Sequence, residues 1–310
     1  MTDTYVIERC SISLPPGYRV ADVLAFHGRD LEGVAEQVDA GGLRKGVLLG
    51  SMPTLLEIRF DVGVAHCRVL FDGPVTPDVK AQAHDALLNV LGLRIDPTAF
   101  AAFVRDDPWL APVVARQPGL RIVQSATVFE ALTWAIIGQQ INLTFAIALR
   151  RTLIQLAGRA HSSGLWCYPE AVDVARLDLT EFTSRKFSKA KAETILRVAG
   201  MVLDGSLALE RGADAGDSAG TASLDVSQKL LAIKGIGPWT VNYVLLRGYG
   251  YPDCSLHGDV AVRAALHQLS GSATRPGVPE AERLLARYAP HRTLAAAYLW
   301  ASLAEKPATD

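Results

Sequence analysis

The 310-residue sequence has few cysteines, and those it has form no metal-binding pattern. They lie far apart and include no CxxC pair: Cys10, Cys67, Cys167 and Cys254. This spacing argues against a zinc knuckle and against a four-cysteine iron–sulfur loop. Scattered cysteines suit a reducing cytoplasm, so we expect a cytoplasmic protein without a cofactor.

Long apolar runs and an excess of charge are also absent. No stretch reaches the roughly 18 apolar residues that a membrane span needs, and residues 1–9 lack the apolar core of a secretory signal. We therefore expect no membrane partner. The chain has 31 Lys and Arg against 32 Asp and Glu, and this net charge of −1 gives no support for nucleic-acid binding.

One segment departs from this charge balance. Residues 181–200 hold five basic and two acidic side chains, a local net charge of +3: Arg185, Lys186, Lys189, Lys191 and Arg197 against Glu181 and Glu193. Such a segment is either an ordinary solvated helix face or part of a surface for DNA.

The hydrophobic pattern predicts a mixed region followed by a helical one. Residues 1–95 hold three strand-length segments and one amphipathic helix, which indicates an antiparallel sheet closed by a helix: Tyr5–Leu14, Leu55–Phe60, Gly63–Phe71 and Asp78–Leu91. Residues 96–310 predict helices over Thr127–Gln140, Leu143–Ala157, Leu177–Arg185, Ala190–Leu203, Val226–Ile233, Pro238–Arg247, Val260–Leu269, Pro279–Tyr288 and Thr293–Glu305. Thr127 and Glu130 have the spacing of a capping box. The small, polar residues 211–223 predict a flexible loop.

The most informative segment is a glycine-containing turn between two helices. Gly235 suits the end of one helix, and Pro238 suits the first position of the next. A turn of this kind, with Gly237 between them, directs backbone N–H groups at a helix N-terminus, where an anion such as a DNA phosphate can bind. The turn alone is equally compatible with a plain packing corner between helices.

A carboxylate follows this turn. Asp259 lies 22 residues beyond Gly237 and precedes the helix predicted from Val260, so it is expected to cap that helix. Capping favours the ionised carboxylate, which makes a poor general acid but a good fixed negative charge. Departure of a base from a sugar builds positive charge on the sugar, and such a carboxylate would stabilise it.

Aromatic side chains near these positions could bind a flipped base or could simply pack in the core. Trp239 and Tyr243 lie one helical turn apart, and Trp300 lies on an apolar helix, whereas Trp134 is assigned to the core. Purines alkylated at N3 or N7 carry positive charge and are attracted to aromatic faces by ~0.5–2 kcal/mol. His257 and Ser255 lack a catalytic arrangement and are discounted.

The run KGIGPWTVNYVLLRG followed by PDCSLHGD resembles the helix-hairpin-helix DNA glycosylases. The likeness is greatest to the bacterial DNA-3-methyladenine glycosylase II (AlkA-like) branch, and it extends in order to AIIGQQINLTFA, SRKFSKAKAETIL and YAPHRTLAAAYLWASL. It implies an α+β fold with a TBP-like antiparallel sheet domain over 1–95. A helix-hairpin-helix glycosylase region in two all-α subdomains would follow over 96–310.

The resemblance also implies roles for individual residues. Asp259 would be the catalytic carboxylate, and the base pocket would consist of Trp239, Tyr243, Trp300 and Gln139. The expected DNA contacts are Lys234, Gly235, Ile236, Gly237, Gln140, Thr240, Arg263 and Arg292, with Gln140 standing where the family often has an apolar wedge. A monovalent cation is implied at the carbonyls of Ile233 and Gly235.

The function implied is release of 3-methyladenine- or 7-methylguanine-type bases from damaged duplex DNA, by a monomer acting at the bacterial nucleoid. Family members that also cut the strand use a lysine where this chain has Trp239, so base release without lyase activity is expected. Two alternatives stay open on the residues themselves. One is a non-catalytic, structure-selective DNA-binding module, and the other is a helical scaffold with no DNA role.

Overall fold

A computed structural model describes residues 6–210 and 219–304 and divides them between an antiparallel sheet and a helical region. The strands are β1 (Val6–Ser13), β2 (Glu36–Asp39), β3 (Gly42–Leu49), β4 (Met52–Asp61), β5 (Val64–Phe71), β6 (Arg159–Ala160) and β7 (Trp166–Cys167). The helices are α1 (Val20–His27), α2 (Pro77–Val90), α3 (Thr98–Phe103), α4 (Leu110–Arg116), α5 (Val128–Gly138), α6 (Leu143–Ala157), α7 (Ala171–Val174), α8 (Leu179–Thr183), α9 (Lys189–Leu203), α10 (Ala219–Leu231), α11 (Pro238–Val244), α12 (Val260–Ser270), α13 (Val278–Ala286) and α14 (Arg292–Ala304).

Five strands form one sheet in the order β1-β5-β4-β3-β2, and every neighbouring pair is antiparallel. Alternation along β4 buries Leu56 and Ile58 while Glu57 remains half-buried on the other face. Helix α2 begins with Pro77 after Thr76, whose side chain accepts a hydrogen bond from the Val79 N–H, and it packs on the sheet. The predicted α+β sheet with a closing helix is thus confirmed.

Three elements of this region have no counterpart in the prediction. The sequence pattern gave no prediction for helix α1 or for strands β2 and β3, yet β3 is buried along nearly its whole length. A short ribbon of β6 and β7 also interrupts the helical region, and Tyr168 beyond it bridges in parallel to Val47 of β3. The second region is therefore largely, but not wholly, helical.

The helices follow their local signals closely. The Thr127 side chain accepts a hydrogen bond from the Glu130 N–H at the start of α5, and α6 has the predicted bounds. Helix α10 begins at Ala219, so the last five residues of the loop expected over 211–223 are helical, and residues 211–218 lie outside the described residues. Tyr5 and Glu305, the expected ends of a strand and of a helix, also lie outside them.

Each region contributes residues to the hydrophobic core of the other. Ile95 packs into the core of the helical region, while Val123 and Ala126 pack into the core beneath the sheet. The domain boundary after residue 95 accordingly stays a prediction, and the helices form one continuous core. Among the described residues, no helix is both long and apolar enough to cross a bilayer.

A buried cluster of four charged side chains joins the sheet to the helices. Lys45 Nζ of β3 lies 2.5 Å from Glu36 Oε1 of β2 and 2.8 Å from Glu130 Oε1 of α5. Arg150 of α6 contacts the same two carboxylates at 2.6 and 2.7 Å. Burial raises the pKa of both carboxyls, but Arg150 and Lys45 together lower it below the usual range. We call these four residues the ion quartet.

Removing one member of the ion quartet should leave an unpaired buried charge. We predict that Lys45→Met lowers the free energy of unfolding by about 3–5 kcal/mol, measured by chemical denaturation. The matched control is Arg59→Met, because the Arg59–Asp39 pair is more than half exposed, and it should cost less than about 1 kcal/mol. Equal losses for the two variants would contradict the prediction.

Candidate active site

Four N–H groups hold the carboxylate of Asp259. As the N-cap of α12, its Oδ1 accepts hydrogen bonds from the backbone N–H groups of Ala261 and Val262, each at 2.9 Å. The indole N–H of Trp239 donates to Oδ2 at 2.9 Å, and that of Trp300 donates to Oδ1 at 3.1 Å. Both oxygens act only as acceptors, which is the role of an ionised carboxylate. The side chain is half-buried, so it is neither sealed in the core nor free to rotate.

The aromatic residues expected in the base pocket form one side of this site. The rings of Trp239 and Tyr243 lie 5.2 Å apart on α11 and are inclined by 36°. The Tyr243 hydroxyl accepts a hydrogen bond from the Trp134 indole at 2.9 Å. Trp134 is only half-buried, so its assignment purely to the core is corrected: besides packing on the core, it belongs to the aromatic cluster beside Asp259.

The other side of the site comes partly from the sheet region. The guanidinium carbon of Arg29, just after α1, lies 3.9 Å from the centre of the Phe26 ring and 5.5 Å from that of Trp134. The guanidinium carbon of Arg247 lies 4.8 Å from the centre of the Phe26 ring and 5.5 Å from that of Trp300. Burial lowers the pKa of Arg29 to about 10 and also lowers that of Arg247. An arginine guanidinium keeps its positive charge at neutral pH even when it is buried.

These contacts close into a circle, which we call the contact ring. Each of its eight side chains touches the next, and the last touches the first, in the order Asp259, Trp239, Tyr243, Trp134, Arg29, Phe26, Arg247 and Trp300. The arrangement combines aromatic faces, one carboxylate and two guanidinium groups. It can stack a planar ring and stabilise positive charge that develops beside the carboxylate.

The turn between α10 and α11 has the geometry that its glycines predict. Gly235 has a φ of +100°, and a Cβ added there would lie 2.3 Å from Thr194 Oγ1. Lys234 and Gly235 are exposed, whereas the side chain of Ile236 is buried and its N–H donates to the Ile233 carbonyl at 3.0 Å. The Ile236 side chain therefore anchors the turn in the core. The DNA contact expected of the turn is one of its backbone, and it stays a prediction.

Two further expected site residues, Gln139 and Thr240, are hydrogen-bonded to each other beside the turn. The Gln139 side-chain amide donates to the Gly235 carbonyl at 3.0 Å and to Thr240 Oγ1 at 2.9 Å. Gln139 thus joins the end of α5 to the turn and is not part of the contact ring; its place in the base pocket stays a prediction. Thr240 is 2% exposed, and its contact with DNA stays a prediction too.

Gln140 stands at an exposed tip next to the turn. Its φ of +55° is in the left-handed region, which non-glycine residues adopt at a cost of about 1–3 kcal/mol and which often marks functional positions. Lys191 Nζ supports this tip by donating to the carbonyls of Ile137 and Gln139 at 2.6 and 2.7 Å. The entry of Gln140 into the DNA stack stays a prediction.

The basic segment 181–200 lies partly against the turn. Arg197 donates to the Lys234 carbonyl at 3.0 Å, while Arg185, Lys186 and Lys189 are exposed. One positive charge of the segment, that of Arg197, is thus held against the turn. Exposure of the other three agrees with a solvated helix face as well as with a surface for DNA.

Arg292 and Arg263, the remaining expected DNA contacts, are engaged within the protein. Arg292 forms a two-point ion pair with Asp253, at 2.6 and 2.7 Å. Arg263 donates to the Pro276 carbonyl at 3.4 Å. Their contacts with DNA stay predictions. His257 Nδ1 lies 3.0 Å from Ser255 Oγ. Ser255 thus has a basic partner that the sequence did not reveal, although Asp259 makes no hydrogen bond to either residue.

The two carbonyls expected to bind a monovalent cation each accept a hydrogen bond within the protein. The Gly235 carbonyl already accepts the Gln139 amide, and the Ile233 carbonyl already accepts the Ile236 N–H. No group of three or more His, Cys, Asp or Glu side chains in the described ranges could hold a metal ion. The cation at these carbonyls stays a prediction, and no step proposed for the reaction involves one.

Sequence reasoning missed half of the contact ring. Arg247 had a usable signal, since it follows Trp239 and Tyr243 at successive four-residue steps along the chain. Phe26 and Arg29 had none, because they lie in a segment without a recognised pattern and reach the site only through the tertiary fold.

The chain is similar to characterised sequences and structures. Residues 133–291 match the sequence profile described as "HhH-GPD superfamily base excision DNA repair protein". The DNA-3-methyladenine glycosylase of Bacillus subtilis (strain 168) is 30% identical over 295 residues, which are 93% of this chain and 95% of that protein. The 3-methyladenine DNA-glycosylase from Archaeoglobus fulgidus matches with a TM-score of 0.77 at 20% identity over 94% of this chain and 97% of its own. An 8-oxoguanine glycosylase/lyase from Clostridium acetobutylicum, solved with double-stranded DNA, has a TM-score of 0.70 at 14% identity and covers 96% and 97%. At these identities the two structures establish the fold.

The turn offers a matched pair of glycines for a test. Gly235→Ala should lower the free energy of unfolding by about 1–3 kcal/mol, because its φ of +100° and the contact with Thr194 both oppose a side chain. Gly237→Ala should change it by less than about 1 kcal/mol, since its φ is −109° and no atom would lie within 4 Å of the new Cβ. Chemical denaturation measures both, and a larger loss for Gly237→Ala would contradict the turn geometry.

Proposed function

The chain belongs to the HhH-GPD superfamily of base excision DNA repair proteins, and from this premise we propose that it releases alkylated bases from duplex DNA by hydrolysing the N-glycosidic bond. The observation that carries the proposal is the Asp259 carboxylate, fixed by four N–H donors inside a ring of aromatic side chains. Bases of the 3-methyladenine and 7-methylguanine type are the expected substrates. We expect the protein to act as a monomer at the bacterial nucleoid.

The reaction begins with extrusion of the damaged nucleotide, which is easiest for a weakly paired base. The base enters the contact ring and stacks on the faces of Trp239, Tyr243 or Trp300. As the glycosidic bond breaks, its electron pair leaves with the base and positive charge develops at C1′. The negative charge of Asp259 stabilises that cation.

A water molecule then completes the hydrolysis. Its oxygen forms the new bond to C1′, and its proton passes to Asp259 or to solvent. Because the carboxylate is already held by rigid donors, little reorganisation accompanies the development of charge. A base that carries positive charge before cleavage leaves as a neutral molecule and needs no acid.

In this proposal, the turn between α10 and α11 binds the DNA backbone. Exposed backbone around Lys234, Gly235 and Gly237 meets a phosphate at the start of α11. Gln140, exposed at its strained tip, enters the space that the extruded base leaves. Backbone amides and the nearby basic segment supply the attraction that the net charge of −1 does not.

The proposed enzyme is monofunctional. A lyase needs an amine nucleophile, and the position where strand-cutting relatives carry lysine is Trp239, whose indole donates to Asp259. The competing function is a non-catalytic DNA-binding module, but binding alone gives no reason to hold a carboxylate between two indoles.

Substitution of the carboxylate tests the catalytic proposal. Asp259→Asn should lower the single-turnover release of 3-methyladenine and 7-methylguanine from methylated DNA at least ~100-fold, or ~2.7 kcal/mol. Asparagine is also a good N-cap, so the variant should unfold at nearly the wild-type temperature and still bind duplex DNA. Full activity in this variant would show that another group carries the reaction.

Borohydride reduction tests the absence of lyase chemistry. Incubation of the wild-type protein with an abasic-site duplex and borohydride should give no covalent adduct and no strand nicking, because the contact ring contains no amine nucleophile. A lysine-dependent glycosylase/lyase serves as the positive control. A trapped adduct would overturn the monofunctional assignment.

A further inference from the structure

The chain turns abruptly where it leaves α5 toward the exposed tip at Gln140. Helix α5 ends at Gly138, and Gln139 follows with a ψ of 125°, while Gln140 has a φ of +55°. These two angles flank a single peptide unit, the one that joins Gln139 to Gln140. Because a peptide unit is planar, its orientation sets the direction in which the Gln140 side chain leaves the protein surface.

Lys191 holds this peptide unit from another helix. Its ammonium group, which comes from the first turn of α9, donates to the Gln139 carbonyl of the unit at 2.7 Å and to the Ile137 carbonyl at 2.6 Å. Both carbonyls lie at the C-terminal end of α5, where carbonyls lack partners within the helix and the helix dipole favours a cation. The half-buried Lys191 side chain therefore completes the end of α5 and fixes the unit that leads into Gln140.

Gln139 is also held through its side chain. The amide donates to the Gly235 carbonyl at 3.0 Å and to Thr240 Oγ1 at 2.9 Å. The residue before Gln140 is thus attached to α9 by its backbone carbonyl and to the turn between α10 and α11 by its side chain. Two attachments of this kind keep Gln140 in a left-handed conformation that a non-glycine residue adopts only at a cost.

We propose that Lys191 is a positioning residue for base extrusion, because it holds Gln140 ready to enter the DNA stack before DNA binds. This inference rests on the proposed glycosylase function. The strained conformation at Gln140 is then already present when DNA arrives, so forming it takes nothing from the free energy of binding that drives extrusion. Lys191 acts through the backbone of the tip and takes no part in cleavage of the glycosidic bond.

The contribution of a fixed tip depends on how firmly the damaged base is held in the duplex. A lesion opposite a normal base has to be unpaired and unstacked, and a side chain that fills the space opposes its return. A lesion in a single-nucleotide bulge has no opposite base, so its extrusion depends less on Gln140. A defect that is confined to the paired lesion therefore distinguishes positioning of the tip from general damage to the protein.

The test measures single-turnover release of 7-methylguanine from a paired duplex and from a bulge in the same sequence. Lys191→Met keeps the length of the side chain but loses its N–H donors, and it should lower the rate on the paired duplex at least ~10-fold. Its rate on the bulge should fall less than ~3-fold. Lys191→Arg, which keeps charge and donors, should restore most of the paired rate. The control is Lys80→Met, at an exposed ion pair on α2, which should keep both wild-type rates.

A double variant tests whether Lys191 acts through Gln140. Gln140→Ala removes the side chain that enters the stack, and adding Lys191→Met to it should lower the paired rate by less than a further ~2-fold, because both changes affect the same step. Losses that multiply in the double variant would show that Lys191 acts elsewhere and would contradict the inference.

Equal losses on the paired and the bulged lesion in Lys191→Met would overturn the inference, since they would indicate a purely structural role. Wild-type rates on both substrates would also overturn it. Should Lys191→Met fail to fold, Lys191→Gln, with a shorter neutral side chain, takes its place in both comparisons. Failure of the proposed function looks different, because the wild type would then release the base from neither substrate. Extrusion is still measured in that case by the fluorescence of 2-aminopurine next to the lesion, and Lys191→Met should reduce its rise on protein binding.

Discussion

The ion quartet constrains how the sheet region packs on the helical region. Lys45 and Glu36 come from the sheet, and Glu130 and Arg150 come from helices of the second region. Removing four charges from water is costly, and their mutual attraction offsets this cost only in a tightly defined geometry. An alternative docking of the sheet on the helices would leave buried charges unpaired. The quartet therefore selects one arrangement of the two regions, whatever its net contribution to stability.

That arrangement brings the first region into the active site. Asp30 directly follows Arg29 and forms an ion pair with Arg151 of α6. Glu36, further along the same segment, pairs with Arg150 of α6 in the ion quartet. The segment after α1 is therefore held to the helices at both ends. Phe26 and Arg29 consequently stand opposite Asp259 in the contact ring. Residues 1–95 thus supply part of the wall against which a base would stack, in addition to their own sheet. The buried charges of the ion quartet fix how the two regions pack together, and they thereby fix the distance between this wall and the Asp259 carboxylate.

The features that could be predicted from the sequence are those set by neighbouring residues. Thr127 and Asp259 cap the helices that follow them, Gly235 adopts a positive φ, and Pro238 begins a helix. The features that could not be predicted depend on distant partners. Strand β3 contains a lysine that disfavours a core assignment until its partners, one of them 85 residues away in the sequence, are known. Glu130 fits a capping box locally, but its carboxylate serves the ion quartet and the Ala126 N–H instead. Likewise, the sequence pattern assigns Trp134 to the core, and only the structure shows the hydrogen bond from its indole to the Tyr243 hydroxyl.

The net charge of the chain does not describe the charge close to the turn and to the contact ring. The chain carries a net charge of −1, yet the exposed Arg197 donates to the turn at the Lys234 carbonyl, and the guanidinium groups of Arg29 and Arg247 belong to the contact ring. Over the lengths that matter to a bound phosphate or base, these nearby charges outweigh the total, because interactions between exposed charges fade beyond about 10 Å at ordinary ionic strength. The negative charge of Asp259 is surrounded by N–H donors in the same ring. Because these donors already hold the carboxylate in place, it can stabilise positive charge that develops on a sugar beside it with little rearrangement of its surroundings.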